Sequence, residues 1–591
     1  MTNDMRQTLI NADPAVPKFE DEYTPTQKDL KSFGILSFEK QQKICPVKAV
    51  GMMDDVFLYI DGATQFRRVK ANEHSINGIR ALFVPFDEML PSLFPRYDKK
   101  GIVVGWKADD AAAFLMRACG QKGIFDPAYK ERGVGCWRDK KGGLVFHCGN
   151  RVLVCRRDGG EHWFKPGEIE GYIYPGATAV PAPSENGAEE KGASEYLRNL
   201  LSQWNFIIGS DLGAFLLTGW IGAAMIGGAL PWRPMVWITG KKGAGKSTLQ
   251  SVIRSVFGDG GIVKAAEATE AGIRQQLKSS TLPVALDENE ADEDNTKNKK
   301  MIALARIAAS GDVSLRGGEN HKGKIFELRS AFLFSSILVP PLEGADIDRI
   351  LILDIGKNCG KAPMLDDRRL GEIGRSLRRK MILGWSRFDD VFAEAREHLF
   401  DAGVEENRML DQFGVLIACA LLLLHNASEP IPWEAPEYQN MLFRIAKHAK
   451  SVKSENEEEA ESCFNYMMTS TVETWRGGQR QMVAELIEAV RKNETDIEAD
   501  EILQRNGIRV FRRRVNGNNV PFLFIANRHK ALNGIFEGTK WNGRGSTKGG
   551  WVGALRQGEH SFVSEVVHCG GVKLRGTVFA LADLLPQGGD T

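Results

Sequence analysis

The sequence lacks any excess of charge of one sign. Its 591 residues include 77 lysines and arginines against 76 aspartates and glutamates, which gives a formal net charge of +1. A balanced chain does not, as a whole, indicate nucleic acid, a membrane surface or an acidic partner. Any surface that binds a polyanion must therefore be local.

Closely paired cysteines are also absent. Nine cysteines are scattered along the chain, and no two of them are spaced as C-x-x-C. This usage is typical of a protein in a reducing cytoplasm. Cys136, His147, Cys148 and Cys155 lie close in sequence, but their spacing fits no zinc motif. We interpret them as buried structural residues and infer no metal site from them.

The N-terminal stretch MTNDMRQTLINADPAVPKFEDEYTP lacks the apolar core of a signal peptide, so we expect a cytoplasmic protein. One uncharged run, Leu212–Leu230, approaches the length of a bilayer span. It is rich in glycine and ends ten residues before Gly240, where a nucleotide-binding fold must already have begun. We therefore predict a buried helix there and no membrane association.

Composition and periodicity predict an α/β protein in five parts. Residues 1–174 indicate an α+β accessory domain, with strands at VFLYIDG and GGLVFHCGNRVLVCRR and a helix at DDAAAFLMRACGQ. Residues 175–196, rich in Pro, Ala, Gly, Ser and Glu, are typical of an exposed linker. Residues 197–362 alternate strand and helix as in a parallel sheet. Residues 363–490 are helical, and residues 491–591 are basic.

The most specific motif is GKKGAGKS, at residues 240–247. It matches G-x-x-x-x-G-K-[ST] between the apolar run MVWIT and the helical run KSTLQSVIRSVF, so the strand, loop and helix of a phosphate-binding loop are all predicted. Its glycines let backbone N–H groups close around phosphate oxygens, and the helix N-terminus favours an anion. ATP and Mg²⁺ are the expected cofactors, with Lys246 on the β- and γ-phosphates and Ser247 on the metal. The predicted nucleotide contacts are Gly240, Gly243, Gly245, Lys246, Ser247 and Thr248.

An acidic pair follows the next apolar strand signal. In TLPVALDENE the run Leu282–Leu286 ends in Asp287 and Glu288. At the end of a neighbouring strand, Asp287 is predicted to hold Mg²⁺ and Glu288 to act as general base towards the attacking water. This pair favours hydrolysis of the nucleotide over transfer to another substrate.

Two further catalytic candidates follow in the chain. The apolar run SAFLFSSILVP contains Ser335 and Ser336, and a polar side chain there would sense the γ-phosphate; we assign that role to Ser336. A pair of serines that merely closes a strand is the alternative. Arg349, just ahead of the apolar run ILILDIG, is predicted to stabilise charge on the phosphoryl group bound by a neighbouring subunit.

The order of these motifs resembles the superfamily 3 helicases, especially the AAA+ primase-helicases of phages, prophages and plasmids. The resemblance covers residues 197–356, from the phosphate loop through DVSLRGGENHKGKIFELR to Arg349. It implies an AAA+ core and a basic hairpin that grips DNA in the pore of a ring. Serine stands where the family usually has asparagine in the sensor strand. A solvated loop is the alternative for the hairpin, whose implied contacts are Arg316, His321, Lys322 and Lys324.

The C-terminal part carries the local charge that the whole chain lacks. From Arg505 to Arg556 there are eleven lysines and arginines against one acidic residue, Glu537. Interleaved aromatic residues are typical of surfaces that bind nucleic acid, although most of them are expected in the core. Two helices and a final two-stranded hairpin suggest a winged-helix-like domain. Its predicted nucleic-acid contacts are Arg512, Arg513, Arg514, Lys573 and Arg575.

Together these features predict an ATP-dependent DNA helicase or translocase that acts in the replication of a phage or mobile element. Single-stranded or forked DNA and a homo-oligomer, most simply a hexamer, are the expected partners. One alternative is an AAA+ ATPase that switches protein contacts without unwinding DNA. Another is a non-enzymatic origin-binding protein, which would have no need of Glu288 as a base.

Overall fold

The structure is a computed structural model. Contacts between Cα atoms divide it into two compact units, Met1–Ala446 and Lys447–Thr591. Three of the boundaries predicted from sequence fall inside the first unit, and this division does not test them. The residues described are 25–185, 191–265, 268–287, 296–317, 323–340, 342, 346, 348–357, 365–426, 428–473, 479–492, 497–515, 518–539, 541–542, 550–556 and 562–581, with backbone alone at 191, 296, 313–317, 323–326, 452–460 and 562.

The N-terminal part of the first unit mixes short helices with antiparallel sheets. Strands β1, β2 and β3 form one sheet, and β6 to β9 form a four-stranded meander. The strands predicted at VFLYIDG and GGLVFHCGNRVLVCRR, and the helix between them, are confirmed. The elements are α1 Gln27–Lys31, α2 Phe38–Ile44, β1 Lys48–Met53, β2 Val56–Ile60, β3 Phe66–Lys70, α3 Ile76–Phe83, α4 Leu90–Leu93, β4 Pro95–Tyr97, β5 Val103–Trp106, α5 Ala108–Lys122, β6 Gly135–Arg138, β7 Leu144–His147, β8 Val152–Cys155, β9 Glu161–Phe164, β10 Gly167–Ile169 and β11 Tyr172–Tyr174.

The segment expected to be an exposed linker, 175–196, is only partly extended. Ala182 is buried, and Ser184 N donates to Arg375 O at 3.1 Å. From residue 191 the chain is helical, in α6 Lys191–Leu201. The prolines and alanines of this segment cover apolar surface without any helix or strand period. From its composition alone the segment therefore resembled an exposed linker.

The central part of the first unit is a parallel sheet of five strands flanked by helices, as predicted. The strand order is β13-β14-β17-β12-β18, and every neighbouring pair is parallel. β12 is buried along its whole length, as expected for a strand covered on both faces. The elements are α7 Ser210–Met225, β12 Met235–Thr239, α8 Lys246–Phe257, β13 Val263–Ala265, α9 Glu270–Leu277, β14 Val284–Leu286, α10 Thr296–Ser310, β15 Val313–Gly317, β16 Gly323–Glu327, β17 Phe332–Ser335 and β18 Ile350–Asp354.

A helical layer completes the first unit, and the predicted buried helix lies within it. All residues of α7 from Leu212 to Met225 are buried. The glycines of α7 allow α13 to approach closely, because a Cβ at Gly219 would lie 2.0 Å from Leu416 O. The layer is formed by α7 with α11 Asp367–Gly384, α12 Phe388–Asp401, α13 Asn407–Leu424 and the first part of α14 Pro436–Thr469.

Helix α13 is the one described helix whose length and composition would let it cross a membrane. Of its apolar window, 78% is buried inside the protein. The core helix of a folded domain has the same features, and α13 packs on α7 in that manner.

The second unit is built around an antiparallel sheet. Its strand order is β21-β22-β24-β23, so the predicted final hairpin is half of a four-stranded sheet instead of a two-stranded wing. The added strands were hidden because a run of arginines interrupts the apolar alternation of β21. The elements after α14 are β19 Thr471–Glu473, β20 Arg480–Met482, α15 Val483–Lys492, α16 Ile497–Arg505, β21 Ile508–Val515, β22 Asn518–Ala526, α17 Lys530–Ile535, α18 Gly550–Leu555, β23 Phe562–Cys569 and β24 Val572–Ala580.

Candidate functional site

The predicted phosphate loop joins the carboxyl end of β12 to α8. Its three glycines, Gly240, Gly243 and Gly245, have φ angles of 148°, 84° and 93°. Residues other than glycine rarely adopt these φ angles. At Gly240 there is also no space, because a Cβ would lie 2.4 Å from Ile355 O. The tight path of the loop therefore depends on glycine.

Lys246, the first residue of α8, folds back over this loop. Its Nζ donates to Gly240 O, and to Lys241 O at 3.4 Å. Ser247 is exposed and Thr248 is partly exposed in the same first turn. An ammonium group has three donors and a flexible stem, so Lys246 can exchange these carbonyl acceptors for phosphate oxygens.

A hydrogen bond from Trp204, which the sequence did not indicate, holds the phosphate loop in place. Trp204 is 1% exposed, and its Nε1 donates to Gly245 O at 3.0 Å. The chain from Trp204 to Ile207, here called the strap, is itself held beside β18, where Ile207 N donates to Asp354 O at 2.9 Å. A lone tryptophan ahead of an apolar helix carries no sequence signal for this role.

Asp287 lies at the same edge of the sheet, but not on the strand next to β12. Strand β17 lies between β12 and β14, which corrects the expectation of a directly neighbouring strand. Periodicity predicts strands but not their order. Asp287 still faces the helix of the phosphate loop, because Gln250 Nε2 on α8 lies 3.4 Å from Asp287 Oδ1. Glu288 lies outside the described residues.

The two serines at the end of β17 differ in their contacts. Ser336 Oγ accepts from Trp237 Nε1 at 2.8 Å and donates to Leu338 O at 2.7 Å, so these bonds use its proton. Ser335 is equally buried, and its Oγ has no hydrogen-bond partner among the described residues. The geometry gives Ser336 a structural contact and leaves Ser335 with the unused hydroxyl. The sensor role assigned to Ser336 stays a prediction.

Arg349 lies at the opposite edge of the sheet. It precedes Ile350, the first residue of β18, which pairs with Met235 at the start of β12. The strands are parallel, so Arg349 is at the edge where they begin, here called the amino edge. The phosphate loop is at the carboxyl edge, about 16 Å away along five residues of strand. Arg349 therefore lies too far from the phosphate loop of its own molecule to contact a phosphate bound there.

The surroundings of Arg349 contain several other charges. Burial, followed by the positive charges of Arg408 and Arg306, lowers the pKa of Arg349, while Asp346 and Asp348 oppose the shift. Arg306 Nη1 also lies 3.1 Å from Asp346 Oδ1. Arg349 thus belongs to a partly buried cluster of arginines and aspartates.

The segment predicted as a basic hairpin folds as one. Strands β15 and β16 are antiparallel, with Arg316 opposite Lys324 in the backbone register. His321 and Lys322, which complete the predicted set, lie outside the described residues.

In the second unit, Arg513 forms an ion pair within the protein. It forms a two-point ion pair with Glu565 on β23, with Nη1 to Oε1 at 2.7 Å, and this pairing lowers the pKa of Glu565. Arg509 Nη1 similarly donates to His568 O. Both arginines lie on β21, so these contacts join the two edge strands of the sheet. The sheet therefore curls towards closure, which protects its edges.

The other predicted cations of this unit are more open. Arg514, Lys573 and Arg575 are exposed. Arg512 is also exposed, although its Nη2 donates to Arg491 O at 3.1 Å. These four side chains are accessible to solvent, whereas the partly exposed guanidinium of Arg513 is already paired with Glu565.

Gln412 is a second important residue that the sequence did not indicate. It is 2% exposed on α13, and its side-chain amide bonds both backbone groups of Met235. Gln412 Nε2 donates to Met235 O at 2.7 Å, and Met235 N donates to Gln412 Oε1 at 3.4 Å. The same oxygen accepts from Trp232 Nε1 at 3.0 Å. Gln412 thus fixes the start of β12.

No model of a known protein family matches the chain, and no curated protein matches it. Among solved structures, an A form of the apo C-terminal region of NrS-1 has a TM-score of 0.33 at 12% identity, covering 90% of this chain and 97% of that one. An apo structure of the NrS-1 C-terminal region has a TM-score of 0.32 at 10% identity, covering 94% and 100%. These similarities are too low to assign a fold or a function.

Proposed function

We propose that this protein is an ATP-hydrolysing DNA translocase that binds single-stranded or forked DNA and unwinds the duplex during replication of a phage or mobile element. The observation that carries the proposal is the glycine loop between β12 and α8, with Asp287 facing α8 at the carboxyl edge. Ligands of open α/β sheets bind at this edge. DNA is proposed as the substrate because the order of the motifs resembles that of superfamily 3 helicases.

The residues at the loop fit a nucleotide with Mg²⁺. A Cβ at Gly243 would meet nothing within 4 Å, so the loop has room beside Gly243 for an approaching phosphate. Lys246 would neutralise the β- and γ-phosphates, while Ser247 and Asp287 supply the oxygens that Mg²⁺ prefers. The metal would draw charge from the phosphates. Glu288 would orient and deprotonate the attacking water.

The position of Arg349 supports action between subunits. An arginine at the amino edge cannot serve its own phosphate loop, but in a ring it would face the loop of the next molecule. We therefore include a homo-oligomer, most simply a hexamer, in the proposal. The pore would present the β15–β16 hairpin, which carries Arg316 and Lys324, to DNA.

ATP hydrolysis by the full chain, with and without forked DNA, tests the enzymatic part. We expect DNA to stimulate turnover, and Lys246→Ala to lower it about 100-fold, as loss of one charge-stabilising donor does elsewhere. Lys242→Ala, which removes an exposed lysine from the same loop, is the matched control and should keep most activity. Nucleotide binding without turnover would support the origin-binding alternative instead.

A second experiment separates a DNA motor from an ATPase that switches protein contacts. The double change Lys322→Ala with Lys324→Ala removes two hairpin charges and should weaken DNA binding and abolish its stimulation of turnover. Basal hydrolysis without DNA should stay. Unchanged DNA binding and stimulation would contradict the pore role of the hairpin and favour the contact-switching alternative.

A further inference from the structure

A small cavity of about 30 Å³ lies in the first unit, far from the phosphate loop. Its lining includes Leu282, just before β14, Phe257 at the end of α8, Cys148 after β7 and Arg378 on α11. The cavity is therefore at the amino edge of the sheet. The N-terminal part, the sheet and the helical layer all meet there.

Arg378 brings an incompletely paired cation to this cavity. It is 6% exposed, and its Nη2 donates to Phe257 O at 2.8 Å. Its Nη1 is buried and has no hydrogen-bond partner among the described residues. A buried donor without a partner destabilises a protein, and more so when it belongs to a charged group.

Another buried arginine shows how such a charge is otherwise accommodated here. Arg233 is 1% exposed, and each of its nitrogens meets a backbone carbonyl. The shortest bonds run to Leu230 O at 2.6 Å, Ala308 O at 2.7 Å and Pro231 O at 3.2 Å. Arg378 has one such carbonyl, so its surroundings are not built to satisfy it without an added group.

The adjacent Arg379 uses a second solution, a carboxylate. Its Nη1 lies 2.6 Å from Glu161 Oε1. The titratable groups that line the cavity beside Arg378 are Cys148 and His147, and Arg375 is a further positive charge. Burial lowers the pKa of His147, and both of its ring nitrogens lack a hydrogen-bond partner among the described residues. Burial raises the pKa of the Cys148 thiol to about 11, so it is neutral near pH 7. The site therefore has a net positive charge.

We propose that the cavity binds one small monatomic anion of the halide class, held by Arg378 Nη1. The proposal is independent of the ATPase and adds a site on the opposite edge of the sheet. The observations that carry it are the cavity, the buried Arg378 that lines it and has one unpaired donor, and the absence of a carboxylate partner for Arg378 among the described residues.

Charge, and not size, favours an anion over water. A cavity needs about 10–15 Å³ to hold one water, so this one is large enough for either. Beside Arg378, the polar side chains of the lining are those of His147, Cys148 and Thr281, and none is a carboxylate. An anion neutralises the buried charge of Arg378, which water leaves uncompensated.

Binding at this position would join three parts of the first unit. The anion would contact α11 while enclosed by β7, α8 and the entry to β14, so its free energy of binding adds to the stability of the folded state. We therefore expect halide to stabilise the fold without entering the nucleotide site.

The test is thermal unfolding of the full chain without nucleotide, in chloride, bromide or gluconate at one ionic strength. We expect a rise in Tm that saturates with halide and is absent in gluconate. Arg378→Met should abolish this dependence. Arg379→Met, which removes a buried arginine that already has its carboxylate, should lower Tm but keep the halide effect.

Crystals of the unaltered protein grown in bromide decide the matter even if Arg378→Met fails to fold. An anomalous bromide peak within hydrogen-bonding distance of Arg378 Nη1 would support the proposal. A cavity that holds only water, or equal Tm values in halide and gluconate, would overturn it.

Discussion

The polar groups at the two edges of the five-stranded sheet come from different parts of the chain. At the carboxyl edge the functional groups come from the sheet's own strand ends, namely the loop after β12, Asp287 after β14 and the serines that end β17. At the amino edge the groups come from elsewhere in the chain. Gln412 reaches it from α13, and Thr281 N, just ahead of β14, donates to Val134 O of the N-terminal part at 2.9 Å.

This difference separates binding from assembly. A strand end that faces solvent can exchange its contacts for a ligand, as Lys246 can exchange the carbonyls of Gly240 and Lys241. A strand start covered by helices and the N-terminal part is less able to do so, because backbone groups such as those of Met235 are already paired inside the protein. Two exceptions at this edge are Arg378, which lines the proposed anion cavity, and Arg349, which is proposed to act on a neighbouring molecule. Other substitutions at the amino edge should change stability, and those at the carboxyl edge should change nucleotide binding or turnover.

The largest effect on this comparison is expected at Gln412. Gln412→Leu keeps the volume but leaves Met235 N, Met235 O and Trp232 Nε1 unpaired, so the free energy of unfolding should fall by about 3 kcal/mol. Chemical denaturation of the full chain measures it. Gln439→Leu, which removes a single bond from Gln439 Nε2 to Trp433 O, is the control and should cost about 1 kcal/mol. Equal losses would contradict a special role for Gln412.

The next effect is expected at the carboxyl edge, where the strap holds the loop. Trp204→Phe keeps an aromatic ring but removes the donor to Gly245 O, which should weaken binding of an ATP analogue about 5- to 10-fold. Titration of the analogue measures this change. The control is Trp385→Phe, because Trp385 Nε1 donates to Gly142 O at 2.8 Å, a similar bond elsewhere in the unit. Weaker binding in both variants would show a general loss of packing instead.

The sequence predicted the local structure at the carboxyl edge far better than the contacts of the amino edge. The phosphate loop is local, so strand, loop and helix follow one another in GKKGAGKS and its flanks. Gln412 lies 177 residues from its partner Met235 and has no motif. The order of the strands was also out of reach, because a period of two residues marks a strand without naming its neighbours. Strand β21 was missed for a different reason, because its run of arginines interrupts the apolar alternation.

The two serines at the end of β17 are expected to have different roles, Ser336 in stability and Ser335 in ATP turnover. Ser336→Ala leaves Trp237 Nε1 and Leu338 O without their partner, so we expect a loss of about 1–2 kcal/mol in unfolding free energy. Ser335→Ala removes a hydroxyl with no described partner, so stability should hold within about 0.5 kcal/mol. If Ser335 senses the γ-phosphate, that variant should lower ATP turnover at unchanged nucleotide affinity. Normal turnover in Ser335→Ala would exclude this role.

The smallest effect is a pH dependence at the amino edge, at Asp348. Burial, and then the negative charge of Glu406, raises the pKa of this carboxyl above its ordinary value of 3.8. The unfolded chain therefore releases the proton first, and the stability contributed by this group falls as pH rises from 3.8 through the folded pKa. Asp348→Asn removes that loss, so its stability relative to the unaltered protein should improve between pH 4 and 7 by less than about 1 kcal/mol. Denaturation curves across this range measure the difference, and a constant offset at every pH would contradict the raised pKa.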